Sequence, residues 1–207
     1  MNFANKLTLL RIALLPFLIV FMHLNNFWTR ILALIIFVGA AVTDIYDGII
    51  ARKYKTITTL GIFLDPLADK LIISAALISF VGLRELNIPA WMVILIISRE
   101  FIITGLRSLA ATKNVIIPAD KTGKFKTTSQ IITIITILLI LIADSALWRY
   151  KGTTGRQLLL QNATAPSYIL GWALTKLPFI LMFITTLLTL YSGISYMSKH
   201  RHLLTDK

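Results

Sequence analysis

Six apolar stretches leave this chain of 207 residues little choice of fold. They run Leu9–Leu24, Ile31–Thr43, Leu71–Leu83, Ile88–Leu109, Ile131–Leu147 and Leu177–Tyr196. A helix needs about 20 apolar residues to cross a bilayer. Several of the six are shorter, so polar residues must continue some helices beyond the lipid. Ile31–Thr43 is the clearest case: from Asp44 to Tyr54 only Gly48 interrupts a helical pattern. The third stretch reads as a helix that starts earlier, near Gly61. Charged residues are 14% of the chain, against about 25% in an ordinary soluble domain. Too few remain to coat a soluble enzyme, and disorder and collagen are excluded as well. With no cysteine, disulfides and thiolate chemistry are excluded too. The expected fold is all-α: a polytopic membrane protein with six transmembrane helices, a short N-terminal amphipathic segment, and one domain spanning 1–207. Met22-His23-Leu24 is not a small-residue cleavage site, so Leu9–Leu24 is read as a span and not as a signal peptide.

Lys and Arg number 21 against nine Asp and Glu, a net charge of +12. In a soluble protein this excess would suggest nucleic acid. In an apolar chain it suggests loops on the cytoplasmic side, facing anionic lipid, and no nucleic-acid partner. With the N-terminus inside, 12 basic residues fall on the cytoplasmic side and six outside. The six are Arg30, Arg84, Arg149, Lys151, Arg156 and Lys176; Lys70, Arg99 and Arg107 lie within spans. Both termini are therefore expected in the cytoplasm. The longest loop, about 144–176, is expected outside, where Trp148, Tyr150, Tyr168 and Trp172 suit a membrane interface.

Four of the nine acids crowd into the 26 residues Asp44–Asp69. Asp44 and Asp47 are three apart, Asp65 and Asp69 four apart, so each pair shares a helix face. A short turn around Lys53–Thr59 would make the two helices neighbours, with both pairs at the same end. Close carboxylates near lipid repel and are costly to desolvate. One or two divalent cations resolve both problems, and all-oxygen donors indicate a hard metal such as Mg2+ or Mn2+. Gly48, Gly61 and Ala51 leave room beside the acids, and Arg52 stands one turn after Gly48. That setting suits a diphosphate held between metal and guanidinium. A paired Asp at a helix end is more often a solvated face or a cap; two pairs with two glycines and an arginine make that reading poor.

The run Asp44-x2-Asp47-Gly48-x2-Ala51-Arg52-x8-Gly61-x3-Asp65-x3-Asp69 resembles the signature of the CDP-alcohol phosphatidyltransferases at every fixed position. In that family of integral membrane enzymes an alcohol displaces CMP from a CDP-linked lipid. The resemblance implies two divalent ions, Mg2+ or Mn2+, on Asp44, Asp47, Asp65 and Asp69. It implies Asp69 as the base that takes the proton of the attacking hydroxyl. Six spans, a homodimer and a site facing the cytosol of a bacterial cytoplasmic membrane are further implications.

The acceptor alcohol is suggested by basic residues further on. Arg99 and Arg107 are eight apart, so they lie about 80° apart in azimuth on a helix and reach one pocket. Lys121, Lys124 and Thr128 recur at helical spacing. Together they suggest a phosphate on the acceptor, although lysines on the cytoplasmic side need no such role. Gly123-Lys124 is not a phosphate loop, since Phe125 follows the lysine where Ser or Thr belongs. Asn5-x2-Thr8-x2-Arg11, Ser98-Arg99-Glu100, Gly105-Leu106-Arg107 and Gly123-Lys124-x-Lys126-Thr127 are similar to the branch of the family that uses CDP-diacylglycerol and sn-glycerol 3-phosphate. By that resemblance Gly48, Arg52 and Thr58, with Thr8 and Arg11, contact the CDP-diacylglycerol head group. Arg99, Arg107, Lys121 and Lys124 take the glycerol phosphate. The alternatives are a cardiolipin synthase of the same superfamily, an intramembrane prenyltransferase and, in a different class, a divalent-cation transporter. A transporter would need acids along a path through the membrane; here the four sit at one end.

Overall fold

The computed structural model describes residues 3–54, 59–112, 121–160 and 165–199, with the side chains of 3–6, 44–66, 111–112, Lys121, Thr122, Lys124 and Ala165 outside the description. The described residues form seven helices and no strand. They are α1 (Phe3–His23), α2 (Phe27–Tyr54), α3 (Thr59–Gly82), α4 (Ala90–Thr112), α5 (Lys121–Lys151), α6 (Gly155–Leu160) and α7 (Ala165–Lys199). α2 does continue as one helix through the aspartates, and α3 begins before Gly61.

α1 packs on α2 and α3, α2 on α5, and α7 on α4 and α5. The helices enclose a core of Leu18, Met22, Phe37, Leu77, Phe80, Met92, Ile96 and Ile134, each at most 1% exposed. The exterior is just as apolar. Phe17, Ile35, Ile94, Phe101, Ile169 and Ile194 are each more than half exposed. Large apolar side chains over so much of the surface are out of place in water and at home in lipid. Phe125–Lys151 and Pro166–Lys199 are long and apolar enough to cross a membrane, and Leu7–His23 and Phe27–Thr43 are shorter apolar helices.

The N-terminal segment and the first apolar stretch, expected as separate pieces, are one continuous helix. The region 144–176, expected as an outer loop, is mostly helical. α5 runs on to Lys151, where Gly152 in the left-handed region (φ 64°) donates its N–H to the Trp148 carbonyl at 3.0 Å. That is a glycine helix stop. Thr154 and Gln157 then start α6: the Thr154 N–H donates to Gln157 Oε1 (2.9 Å) and the Gln157 N–H to Thr154 Oγ1 (3.3 Å). This reciprocal pair satisfies two donors that a helix start leaves open. Asp144 Oδ1 accepts the Gly155 N–H at 2.7 Å, tying α6 back to α5.

Arg30 also departs from expectation. It was assigned to an outer loop, yet it is 1% exposed on α2. Its guanidinium pairs with Glu85 and donates to the Leu141 carbonyl (2.9 Å) and Ser145 Oγ (2.5 Å). The cation turns inward because three acceptors from other parts of the chain meet it there. Removing one partner of a buried pair leaves a charge uncompensated, at a cost of about 3 kcal/mol or more. Glu85→Gln should therefore lower the thermal midpoint in detergent or nanodiscs, whereas Arg30→Met with Glu85→Leu should recover most of the loss. Equal midpoints for Glu85→Gln and the parent chain would show that the pair contributes nothing to stability.

Candidate active site

Asp69 anchors the described part of the site. It lies on α3, half-buried, one turn after Asp65. Around it opens a cleft of about 510 Å³ lined by Asp69, Lys70, Arg99, Glu100, Thr104 and Arg107, with Gly123, Thr127 and Thr128 of α5 completing the wall. Arg99 and Arg107, two turns apart on α4, thus reach the same space as Asp69. Arg107 is the cation that Arg99 feels most strongly. Two guanidiniums so close repel unless an anion or a polar partner separates them.

Polar contacts organise the cleft floor. Lys70 Nζ donates to Thr104 Oγ1, and Thr104 Oγ1 donates to the Glu100 carbonyl at 2.7 Å. Glu100 pairs with Lys126 and lies 3.5 Å from Arg99 Nη1. Lys126 is only 2% exposed, on the second turn of α5. A smaller cavity of about 40 Å³ behind the cleft shares Asp69, Lys70, Glu100 and Thr127 with it and adds Lys126 and Gln130.

The other expected residues divide into two groups. Thr8 and Arg11 are 1% and 3% exposed on α1, the helix that packs on the two motif-bearing helices. They share a helix face. Asp44, Asp47, Gly48 and Arg52 lie on the last turns of α2, and Asp65 on α3, with their side chains outside the described residues. α2 and α3 do pack on one another. Lys121 and Lys124 lie on the first turn of α5, again without described side chains, and Thr58 lies outside the described residues. Among the described residues no cluster of three His, Cys, Asp or Glu forms a metal site. The donor set carried by α2 and α3 is all carboxylate, which fits a hard divalent ion and no softer one.

Sequence reasoning missed the role of one residue of this site. Lys126 was counted among cytoplasmic loop cations, and it is instead a buried partner of Glu100. The available signal was spacing: Gln130 and Thr133 follow Lys126 at four and seven residues, and both are buried. They mark one face of α5 as interior.

Residues 1–191 match the sequence profile of the CDP-alcohol phosphatidyltransferases, and the chain belongs to that family. Its relatives narrow the comparison. A CDP-diacylglycerol–glycerol-3-phosphate 3-phosphatidyltransferase of Bacillus subtilis is 43% identical over 168 residues, covering 71% of this chain and 86% of that protein. A protein of the same name from Rickettsia felis is 38% identical over 138 residues, covering 67% and 75%. One from Pectobacterium atrosepticum is 38% identical over 143 residues, covering 66% and 76%.

The Glu100–Lys126 pair gives a prediction. Glu100→Gln should strand the Lys126 cation in the bundle, costing about 3 kcal/mol and most of the activity. Glu100→Leu with Lys126→Met should restore the melting temperature but not the activity. Recovery of both would mean the pair only fills space.

Proposed function

We propose that this chain is a phosphatidylglycerophosphate synthase. It transfers the phosphatidyl group of CDP-diacylglycerol to sn-glycerol 3-phosphate, giving phosphatidylglycerol phosphate and CMP. The observation that carries this reading is the sharing of one cleft by Asp69, Arg99 and Arg107. A proton acceptor and two phosphate-binding cations at one site suit a phosphorylated alcohol as nucleophile. The names of the relatives support the same acceptor.

The chemistry follows from the side chains. Arg99 and Arg107, with Lys121 and Lys124 on the first turn of α5, hold the acceptor phosphate by charge-assisted contacts. The acceptor hydroxyl is thereby held over Asp69, which takes its proton as the new oxygen–phosphorus bond forms. The bond from that phosphorus to the CMP oxygen breaks, and CMP leaves with the electron pair. Gly48, Arg52 and Thr58, with Thr8 and Arg11 from α1, orient the cytidine diphosphate. Asp44, Asp47, Asp65 and Asp69 would hold two divalent ions, Mg2+ or Mn2+, which supply neutralisation of the diphosphate and of the leaving group.

Six spans, one domain over 1–207, cytoplasmic termini and site, a bacterial inner membrane and a homodimer complete the proposal. The helices α1–α5 and α7 supply six segments of at least 21 residues, each near the length a tilted span needs. The apolar exterior supports their placement in lipid. A cardiolipin synthase would take a lipid acceptor, and the charged walls of this cleft favour a small soluble phosphate instead.

Purified protein should release CMP from CDP-diacylglycerol with sn-glycerol 3-phosphate and not with phosphatidylglycerol. The reverse preference would identify a cardiolipin synthase, and metal flux into proteoliposomes without CMP release would indicate a transporter. Asp69→Asn should reduce turnover at least ~100-fold, the scale of a lost general base, with CDP-lipid binding retained. Asp44→Ala or Asp65→Ala should abolish the activity, as should EDTA; activity persisting in EDTA rules out the metal role. Arg107→Ala should raise the apparent KM for glycerol 3-phosphate by roughly 10- to 150-fold, the worth of one hydrogen bond to a charged group. An unchanged glycerol 3-phosphate dependence would remove Arg107 from the acceptor pocket.

A further inference from the structure

α7 is the one long helix to which the sequence gives no chemical task, yet it touches both cleft arginines. Arg99 Nη2 donates to Ser192 Oγ at 2.8 Å. Arg107 Nε donates to Tyr196 Oη at 3.2 Å, and the same guanidinium lies over the Tyr196 ring at 5.4 Å from its centroid. Ser192 and Tyr196 are each 2% exposed, so neither is a surface group that meets the arginines by chance. Between them, Gly193 gives the Arg99 stem its place: a Cβ there would come within 2.9 Å of Arg99 Cγ. Positions 192 and 196 are four apart and 193 and 196 three apart, so both meet Tyr196 on adjoining parts of the helix surface.

We propose that Ser192, Gly193 and Tyr196 form a positioning platform that fixes the guanidiniums of Arg99 and Arg107 for an acceptor phosphate, and so sets the preference for a phosphorylated over a neutral alcohol. The proposal rests on the acceptor assignment above. None of the three residues lines the cleft; they act through the arginines. An arginine carries five N–H donors in a rigid fork. Ser192 takes one donor of Arg99, and Tyr196 takes one of Arg107. The hydroxyl contact and the cation–π attraction of the ring together restrict where the Arg107 guanidinium can sit. The platform also answers the repulsion between the two cations. Neutral oxygens and a ring face receive them on the α7 side, while the carboxylate beside Arg99, Glu100 at 3.5 Å from Nη1, is shared with Lys126.

The alternative is that the three residues only pack α7 against α4. The two ideas separate in a kinetic comparison of glycerol 3-phosphate with glycerol, using the full chain in nanodiscs. Ser192→Ala, Gly193→Ala and Tyr196→Phe should each raise the apparent KM for glycerol 3-phosphate, by roughly tenfold for the first two. Tyr196→Phe keeps the ring and should do less. The KM for CDP-diacylglycerol should not move, and discrimination against glycerol should fall in step. In an Arg99→Ala background Ser192→Ala and Gly193→Ala should have no further effect, because the residue they act through is gone. Effects that add to that of Arg99→Ala, or losses equal for both substrates, overturn the platform. Should Gly193→Ala not fold, Ser192→Ala alone decides, since it removes one oxygen and adds no bulk. A parent chain that does not turn over glycerol 3-phosphate would overturn the acceptor assignment. The platform is then judged by calorimetric titration of inorganic phosphate: weaker binding by Ser192→Ala supports it, and equal binding ends it.

Discussion

Charge buried in an apolar bundle must find a partner inside the bundle, and the rest of this structure is arranged around that requirement. A lone ion among lipid-facing helices costs several kcal/mol at least. Two places in the chain meet the requirement in different ways. Near one end of the bundle Arg30, Glu85, Ser145 and the Leu141 carbonyl close on each other, and the cation is fully enclosed. Near Asp69 the Glu100–Lys126 pair is just as buried, but it forms the back of an open cleft. The first arrangement joins α2 and α5 to the Glu85 segment. The second joins α4 to α5, and in doing so sets the wall that faces Asp69.

The same physics fixes how α7 sits. Its interior face carries Thr185, Thr189, Ser192 and Tyr196, a polar line at spacings of three to four residues. Thr185 meets Thr133 at 2.7 Å and Thr189 meets Gln130 at 3.4 Å. Ser192 and Tyr196 continue the line to Arg99 and Arg107. In an apolar medium a hydroxyl without a partner is costly. A slip or rotation of α7 would break all four contacts together, so the helix has one favourable register. That register is also the one that presents Ser192 and Tyr196 to the arginines.

This explains which parts were legible in the sequence. Helix existence was, because apolar runs of this length have few alternatives, and α2 was readable through Asp44–Tyr54 because no breaker intervenes. The crowding of four aspartates pointed to a candidate site because no packing argument accounts for it, and three of those side chains lie outside the described residues. Partner choice was not. Arg30 and Lys126 look like any loop cation in a count of charges. Their inward turn depends on Glu85 and Glu100, 55 and 26 residues away in the chain, and only the fold brings them together. The region after Asp144 was misread for a different reason. Apolarity alone said loop, while the helix signals there were local: Gly152 as a stop and the Thr154–Gln157 pair as a start. The polar face of α7 was present in the sequence at helical spacing, and it was overlooked because threonines and serines are easily passed over in a long apolar run.

Charge balance at the cleft links the architecture to the chemistry. Among the described residues around Asp69, four cations (Lys70, Arg99, Arg107 and Lys126) face two carboxylates, Asp69 and Glu100. At the Arg30 cluster, by contrast, Glu85 and Asp144 both lie close to the enclosed cation. Arg99 and Arg107, two of those four cations, line the open cleft, where an anion from water can reach them. A phosphate monoester, with a charge of about −1.5 to −2 near neutral pH, is of the size and sign to pair with them. The two guanidiniums therefore carry affinity for one kind of acceptor. A neutral alcohol would gain none of it. A cation enclosed by its partners, as at Arg30, ties helices together, whereas guanidiniums facing an open cleft, as beside Asp69, are what a bundle built to draw a small anion out of water requires.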